Sequence, residues 1–235
     1  MDLNAYWSDI DLRLKDLIKY GFVKLPSLKV FNLETIADEI SNDMKGSTFS
    51  ESCPSHKVFL DNLSLEKYLT PKLYDIARSA FHYRGDLSNQ YHIARRVEPG
   101  NSKEMYRAHF DSHLFTMVLP IKIPPFSNNG SSGELIYFPN ARPFPKNEIH
   151  NIYGKASHKK FASKEGLDKF STKYKKYVDD FKDYEPLLFV GNTTLHTNKP
   201  VSLYCTSYRL TLLSHFFDPS PKYGIGSFLR LVRSR

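Results

Sequence analysis

His109-Phe110-Asp111 holds two metal-ligand side chains one residue apart. On an extended strand successive side chains alternate with period two, so His109 and Asp111 would point the same way. His196 is placed to close a three-point face with them. The Gly191-Asn192 turn signal precedes Thr193-Thr194-Leu195-His196, which puts this imidazole at the start of a strand. Two neutral imidazoles and a carboxylate on one face, with the opposite positions open, suit a ferrous ion that must admit oxygen. Arg209 stands 209 − 196 = 13 positions further on, and Thr211 shares its strand face. A guanidinium forks onto a carboxylate in two parallel bonds, and a hydroxyl can add a third. That pair is a receptor for the far carboxylate of a dicarboxylic keto acid.

Each piece alone has a plainer reading. A lone His-x-Asp is often a surface accident, a single His is usually a satisfied structural residue, and an Arg can simply cap a strand. The order and the expected strand setting of all five are what point to a site. His109 and His113, four apart, suggest a helical zinc-protease pair, but that chemistry needs a Glu directly after the first His. Phe110 stands there instead, and Phe115, Thr116 and Val118 favour a strand.

The elements that must position these residues follow from hydrophobic period. Residues 5–20 predict an amphipathic helix carrying Ile10, Leu14, Leu17 and Ile18, ended at Tyr20-Gly21. Residues 22–26 predict a short strand. Residues 33–44 predict a helix with Ile36, Ile40 and Met44 in register and Asn32 as cap, and a third helix follows Pro71 with Leu73, Ile76, Ala77 and Ala80. Residues 45–57 read as a polar loop. The pattern then changes to strands at 90–97, 113–123, 134–138, 187–190, 201–205 and 208–217, divided by Gly, Pro, Asn and Ser clusters such as the loop 124–133. Within them, residues 157–182 return to helical period: Phe170, Tyr174, Tyr177 and Phe181 recur at i, i+4, i+7 and i+11, with lysines between. Helices first and strands after, with one helical excursion, imply an antiparallel sandwich with helices on one side rather than alternating βαβ units.

Composition is consistent with that picture. The chain has 235 residues, 40% of them hydrophobic, with 15 Tyr and 17 Phe, which gives material for a buried core. The formal net charge of +8 favours anionic ligands, although a solvated helix face explains the lysines between 155 and 182 as well. Two cysteines, Cys53 and Cys205, form neither a C-x-x-C pair nor a disulfide framework, and the start lacks a signal pattern, so a reduced cytoplasmic setting is expected. No apolar run approaches the roughly 18 residues a membrane span requires. A basic tail begins at Pro219-Ser220-Pro221 and carries Arg230, Arg233 and Arg235.

Together the motifs resemble the Fe(II)/2-oxoglutarate-dependent dioxygenase superfamily: His-x-Asp, a distal His, then Arg-x-Ser/Thr. The nearest branch is similar to the phytanoyl-CoA dioxygenase group. Residues 17–26 are similar to its helix-to-strand entry, 133–140 to its Gly-x-Leu strand and Pro turn, and 188–192 to the turn before its distal His. Asn140-Ala141-Arg142 departs from the group's frequent Gly-Ser-His, Asn192 replaces a frequent Asp, and the Lys-rich insert has no counterpart.

The resemblance implies a single dioxygenase domain over 1–235. N-terminal helices (5–81) would precede a double-stranded β-helix, or jelly-roll, core (about 89–217) with a helical insert at about 146–185. It implies Fe(II) on His109, Asp111 and His196; 2-oxoglutarate on Arg209 and Thr211; O2 as oxidant; succinate and CO2 as products; and ascorbate as a supporting reductant. Halogenating members have Gly or Ala where Asp111 stands, so hydroxylation, or a related desaturation or ring closure, is expected. For the substrate, Tyr91 and Arg95 share a strand face, Tyr106 and Arg107 flank the His-x-Asp, and Arg142 follows the Pro139 break where a pocket rim is expected. Their plainer reading is bridging of surface loops. The insert is a lid or a packed helix. A small anionic or amino-acid-like metabolite is the expected substrate. The alternatives are an oxygenase of protein or nucleic acid, and a non-catalytic jelly-roll binding protein. Leu213-Ser214-His215 lacks the Arg-rich signature of nucleic-acid demethylases, and intact ligands argue against the last.

Overall fold

A computed structural model describes residues 2–101, 105–125, 130–145, 150–152, 154 and 161–219. The tail from residue 220, with its three arginines, lies outside the described residues, as do parts of the 124–133 loop and of the Lys-rich insert.

Six helices come first: α1 (Leu3–Tyr6), α2 (Ile10–Tyr20), α3 (Leu33–Met44), α4 (Pro54–Leu63), α5 (Leu65–Tyr68) and α6 (Thr70–Phe81). Asn32 caps α3 as expected, its side chain accepting from the Thr35 amide. Nine strands follow or interleave: β1 (Phe22–Lys24), β2 (Phe49–Ser50), β3 (Gln90–Val97), β4 (Phe115–Lys122), β5 (Leu135–Phe138), β6 (Tyr177–Asp179), β7 (Leu187–Val190), β8 (Leu195–Asn198) and β9 (Arg209–Phe216). They form a six-stranded sheet in the order β1-β7-β4-β9-β3-β2 and a three-stranded sheet in the order β6-β5-β8, with antiparallel pairing throughout. The two sheets make a jelly-roll core with flanking helices, the expected fold class.

Register decides which side chains meet. In the large sheet Ala94, Phe115, Met117, Leu119, Leu188, Leu210, Leu212 and Phe216 face the helices and join Leu17, Ile40, Leu73 and Ala77 in the main core. The opposite parity faces the small sheet. There Val118, Leu187 and Phe189 meet Leu135 and Tyr137, with Phe181 beside them. The outer face of the small sheet, Ile136 and Phe138, is covered by Leu167 and Phe170 of α7 (Lys164–Ser171). Fully burying each such Leu or Phe contributes roughly 1.5–3 kcal/mol, so both faces of both sheets are anchored.

Several expectations need correction. Residues 5–20 are not one helix, since α1 ends at Tyr6 and α2 begins at Ile10, and Ala80, expected in the core, is exposed. Residues 45–57 are not one polar loop: they hold β2 and the start of α4, where Pro54 pre-sets the first turn and His56 is buried. The aromatic period of 157–182 is not one helix. In its described part α7 ends at Ser171, and Tyr177 lies in β6, paired with Tyr137 of β5. Free edge backbone on β5 takes the segment as a strand, and Phe181 turns inward at φ +56°. Residues 201–205 are not a strand, because only Val201 bridges, to Ser132, while the pairing strand is β8. Ile18, expected on the buried side of its helix, is exposed. No helix among the described residues is long and apolar enough to cross a membrane.

Candidate metal centre

His109 and His196 face each other across a two-bond bridge, each amide donating 3.1 Å to the other's carbonyl. His196 is the second residue of β8 and pairs with Tyr137, so it points between the sheets beside Phe189, whose ring centre lies 4.9 Å away. Asp111 follows two residues after His109, and its amide donates to the Gly191 carbonyl at 3.1 Å. The three side chains come together although the expected strand is absent here: His109 is an isolated bridge residue and Asp111 lies in the loop before β4. His109 Nε2 lies 3.5 Å from Asp111 Oδ1, and His196 Nε2 lies 3.6 Å from Asp111 Oδ2. One ligand atom from each fits within 4.8 Å of the others. Asp111 and His196 are buried while His109 is exposed, so the cluster has one open side.

The donor set suits a divalent transition ion. Burial pushes the His196 imidazole down to about 4, with Asp111 opposing, so it is an unprotonated ligand at neutral pH. Burial alone would raise the Asp111 carboxyl, but the field of His196, His215 and His109 outweighs it and holds the group well below the usual carboxylate range. Both rings are oriented through Nδ1: His109 to the Arg107 carbonyl at 2.8 Å and His196 to the Thr194 carbonyl at 3.2 Å. That leaves each Nε2 turned toward the carboxylate.

Two neighbours escaped the sequence reading. Thr116 Oγ1 donates to Asp111 Oδ2 at 2.5 Å, and His215 Nδ1 lies 3.1 Å from the same hydroxyl. Thr116 and His215 are register partners on β4 and β9. The sequence does place 209, 211, 213 and 215 on one strand face, which could have flagged His215. Thr116 depends on cross-strand register, which carries no local signal. Gly191 closes the corner: a Cβ there would lie 2.7 Å from Thr116 Oγ1 and 3.1 Å from the Asp111 Cβ.

Arg209 is the first residue of β9 and is buried. Its Nη2 has no hydrogen-bond partner among the described residues. Burial pushes this guanidinium below its ordinary range, the charge of Arg95 adds to that, and Glu134 and Asp179 oppose it. Gly133, at φ +85°, admits the side chain, since a Cβ would sit 2.8 Å from Arg209 Cδ. Arg209 borders a small hollow with Arg95, Asn198 and Val201. Asn198 is two residues from His196 on the same inward face of β8, about 7 Å along the strand. Thr211 is buried and inward, opposite Arg95 on β3.

The weaker substrate candidates fall in different places. Tyr91 is inward, its ring stacked on His113 and His215 at 6.2 and 6.0 Å, with its hydroxyl bonded to Glu51. Arg95 Nη1 donates to Asn198 Oδ1 at 3.1 Å, beside Arg209. Tyr106, at φ +53°, packs against the Phe110 cluster, and Arg107 is exposed. Arg142 is engaged within the protein. Its Nε donates to the Asn192 carbonyl at 2.6 Å, Nη2 to Asn151 at 2.7 Å, and its plane lies 4.1 Å over Phe110.

No protein-family model and no curated protein matches the chain. Solved structures do match in fold. A prolyl 4-hydroxylase from Phytophthora capsici aligns with a TM-score of 0.56 at 11% identity, covering 99% of this chain and 73% of the other. A prolyl hydroxylase from Trichoplax adhaerens, in complex with a hypoxia-inducible-factor peptide fragment, gives 0.55 at 15%, covering 92% of each chain. The non-haem α-ketoglutarate-dependent carbocyclase SnoK of nogalamycin biosynthesis gives 0.53 at 10%, covering 92% and 89%. Such identities show a shared jelly-roll.

Proposed function

We propose that this chain is a member of the Fe(II)/2-oxoglutarate-dependent oxygenases and hydroxylates a small metabolite of anionic or amino-acid type. The observation that carries the reading is the pairing of a His109–Asp111–His196 cluster with a buried Arg209 whose Nη2 has no hydrogen-bond partner among the described residues. A buried guanidinium nitrogen left without a hydrogen-bond partner is costly, and a ligand carboxylate would relieve that cost. When bound, the ferrous ion with 2-oxoglutarate and O2 would supply oxidation of a C–H bond, releasing succinate and CO2; ascorbate would keep the ion reduced.

In this reading His109, Asp111 and His196 hold the metal. Arg209, helped by Thr211, receives the far carboxylate, and Phe189 and Tyr137 form an apolar wall beside His196. Arg95, Tyr91, Tyr106 and Arg107 remain substrate-side candidates, with Arg95 the nearest to Arg209. Arg142 belongs instead to the support of Phe110. The whole chain acts as one domain in a cytoplasmic setting. The segments that resemble the phytanoyl-CoA dioxygenase branch make it the branch of choice, but acyl-CoA is not carried over, because Asn140-Ala141-Arg142 departs from the group at a turn.

The neighbours named above include one seen with a peptide and one from a small-molecule pathway, so the shared fold does not select a substrate class. A screen of carboxylic and amino acids, with a prolyl peptide as comparison, read by succinate formation above the uncoupled background, tests the proposal. A small acid should raise turnover, and stimulation by the peptide alone would overturn the substrate class.

A further inference from the structure

The carboxylate of Asp111 is held on one side by a chain that the metal cluster itself does not explain. A threonine hydroxyl has one hydrogen to give. Thr116 Oγ1 stands 2.5 Å from Asp111 Oδ2, an acceptor only, so the hydrogen points there. The second contact of that hydroxyl, His215 Nδ1 at 3.1 Å, must then be the donor. This fixes the chain as His215 Nδ1–H to Thr116 Oγ1–H to Asp111 Oδ2. His215 packs in a three-ring cluster with Tyr91 and His113, its ring centre 6.0 and 5.1 Å from theirs. Thr116, Asp111 and His215 are all buried.

We infer that Thr116 and His215 are positioning residues for Asp111. They tie Oδ2 to the large sheet and set the plane of the carboxylate, with Oδ1 toward His109. This inference rests on the metal-centre reading above. Each link joins a different element: Asp111 a loop, Thr116 β4 and His215 β9. The backbone contact of Asp111 to Gly191 alone leaves its side chain free to rotate about χ1 and χ2. The two-bond chain removes that freedom, which is the role outer partners of metal-bound carboxylates play, and their loss typically weakens metal binding about 10- to 100-fold.

The test uses the metal alone, without co-substrate or turnover. Co(II) and Mn(II) titrations of the metal-free protein, read by the cobalt visible spectrum and by manganese spin resonance, compare wild type with Thr116→Val, Thr116→Ser and His215→Phe. Thr116→Val should weaken both metals by at least about 10-fold and alter the cobalt spectrum, and Thr116→Ser should restore both. His215→Phe keeps the ring stack and should give a smaller loss, which keeps the inference testable if the valine variant does not fold. Unchanged affinity and spectrum in folded Thr116→Val or His215→Phe overturns the positioning role while leaving the metal centre standing. A wild type that binds neither metal overturns both.

Discussion

His109 and Arg209 divide the proposed chemistry into an open, exposed ligand and a buried anchor, and the two should fail differently when removed. His109→Ala takes away one of three ligands, so ferrous-ion binding measured by equilibrium dialysis should be lost with the fold intact. Arg209→Met keeps the volume and removes the charge. It should raise the 2-oxoglutarate requirement about 10- to 100-fold, the loss of one charge-assisted pair. Because the Nη2 it removes is buried and has no hydrogen-bond partner among the described residues, the ligand-free variant should melt no lower than wild type, as when buried ionic groups are replaced by apolar ones. Lower thermal stability in Arg209→Met would mean that the guanidinium is satisfied inside the protein. At this scale the sequence was most legible. His109, Asp111 and His196 could be singled out from residue type and spacing, although they meet through the non-local His109–His196 bridge. Thr116 was not legible, because its contact to Asp111 depends on how the intervening loop turns back, and its contact to His215 on the β4–β9 register.

Secondary elements hold these side chains through a few close approaches. Gly191 lies where the β7–β8 turn passes Asp111 and Thr116. Gly191→Ala should force that contact apart, costing about 1–3 kcal/mol of stability by thermal melting and weakening metal binding at once. Normal metal affinity in a folded variant would show that the corner yields without disturbing the carboxylate. The helices α2, α3 and α6 and strands β3, β4, β7 and β9 were readable from period and caps alone. The failures share a cause. Tyr174, Tyr177 and Phe181 fit a helical period by coincidence, and β6 exists because β5 offers it a backbone edge. Val201 fits a strand by composition, yet Leu195–Asn198 takes the pairing. Non-local hydrogen bonding outweighed local pattern in both places.

Among the described residues of the whole molecule, three buried histidines and the half-buried His92 have lowered proton affinity. Burial takes His56 down to about 3 and His92 and His196 to about 4, and it lowers His215 as well. The unfolded chain titrates these near 6.5. Between about pH 6.5 and 4 the unfolded state therefore binds more protons, and stability falls as pH falls through that window. Above pH 6.5 these groups add no pH dependence. Melting temperature should decline steeply from pH 6.5 to 4, and His56→Phe should flatten the slope. An unchanged slope would place the acid-labile groups elsewhere.

In the proposed chemistry one buried arginine and one three-residue cluster act on the same keto acid. Anaerobic addition of Fe(II) and 2-oxoglutarate to the metal-free protein tests it most directly, because a keto acid chelated to a ferrous ion gives a weak visible charge-transfer band. Wild type should develop the band, His109→Ala should not, and Arg209→Met should need about 10- to 100-fold more 2-oxoglutarate to reach it. A folded, metal-loaded wild type with no band at saturating 2-oxoglutarate would contradict the assignment.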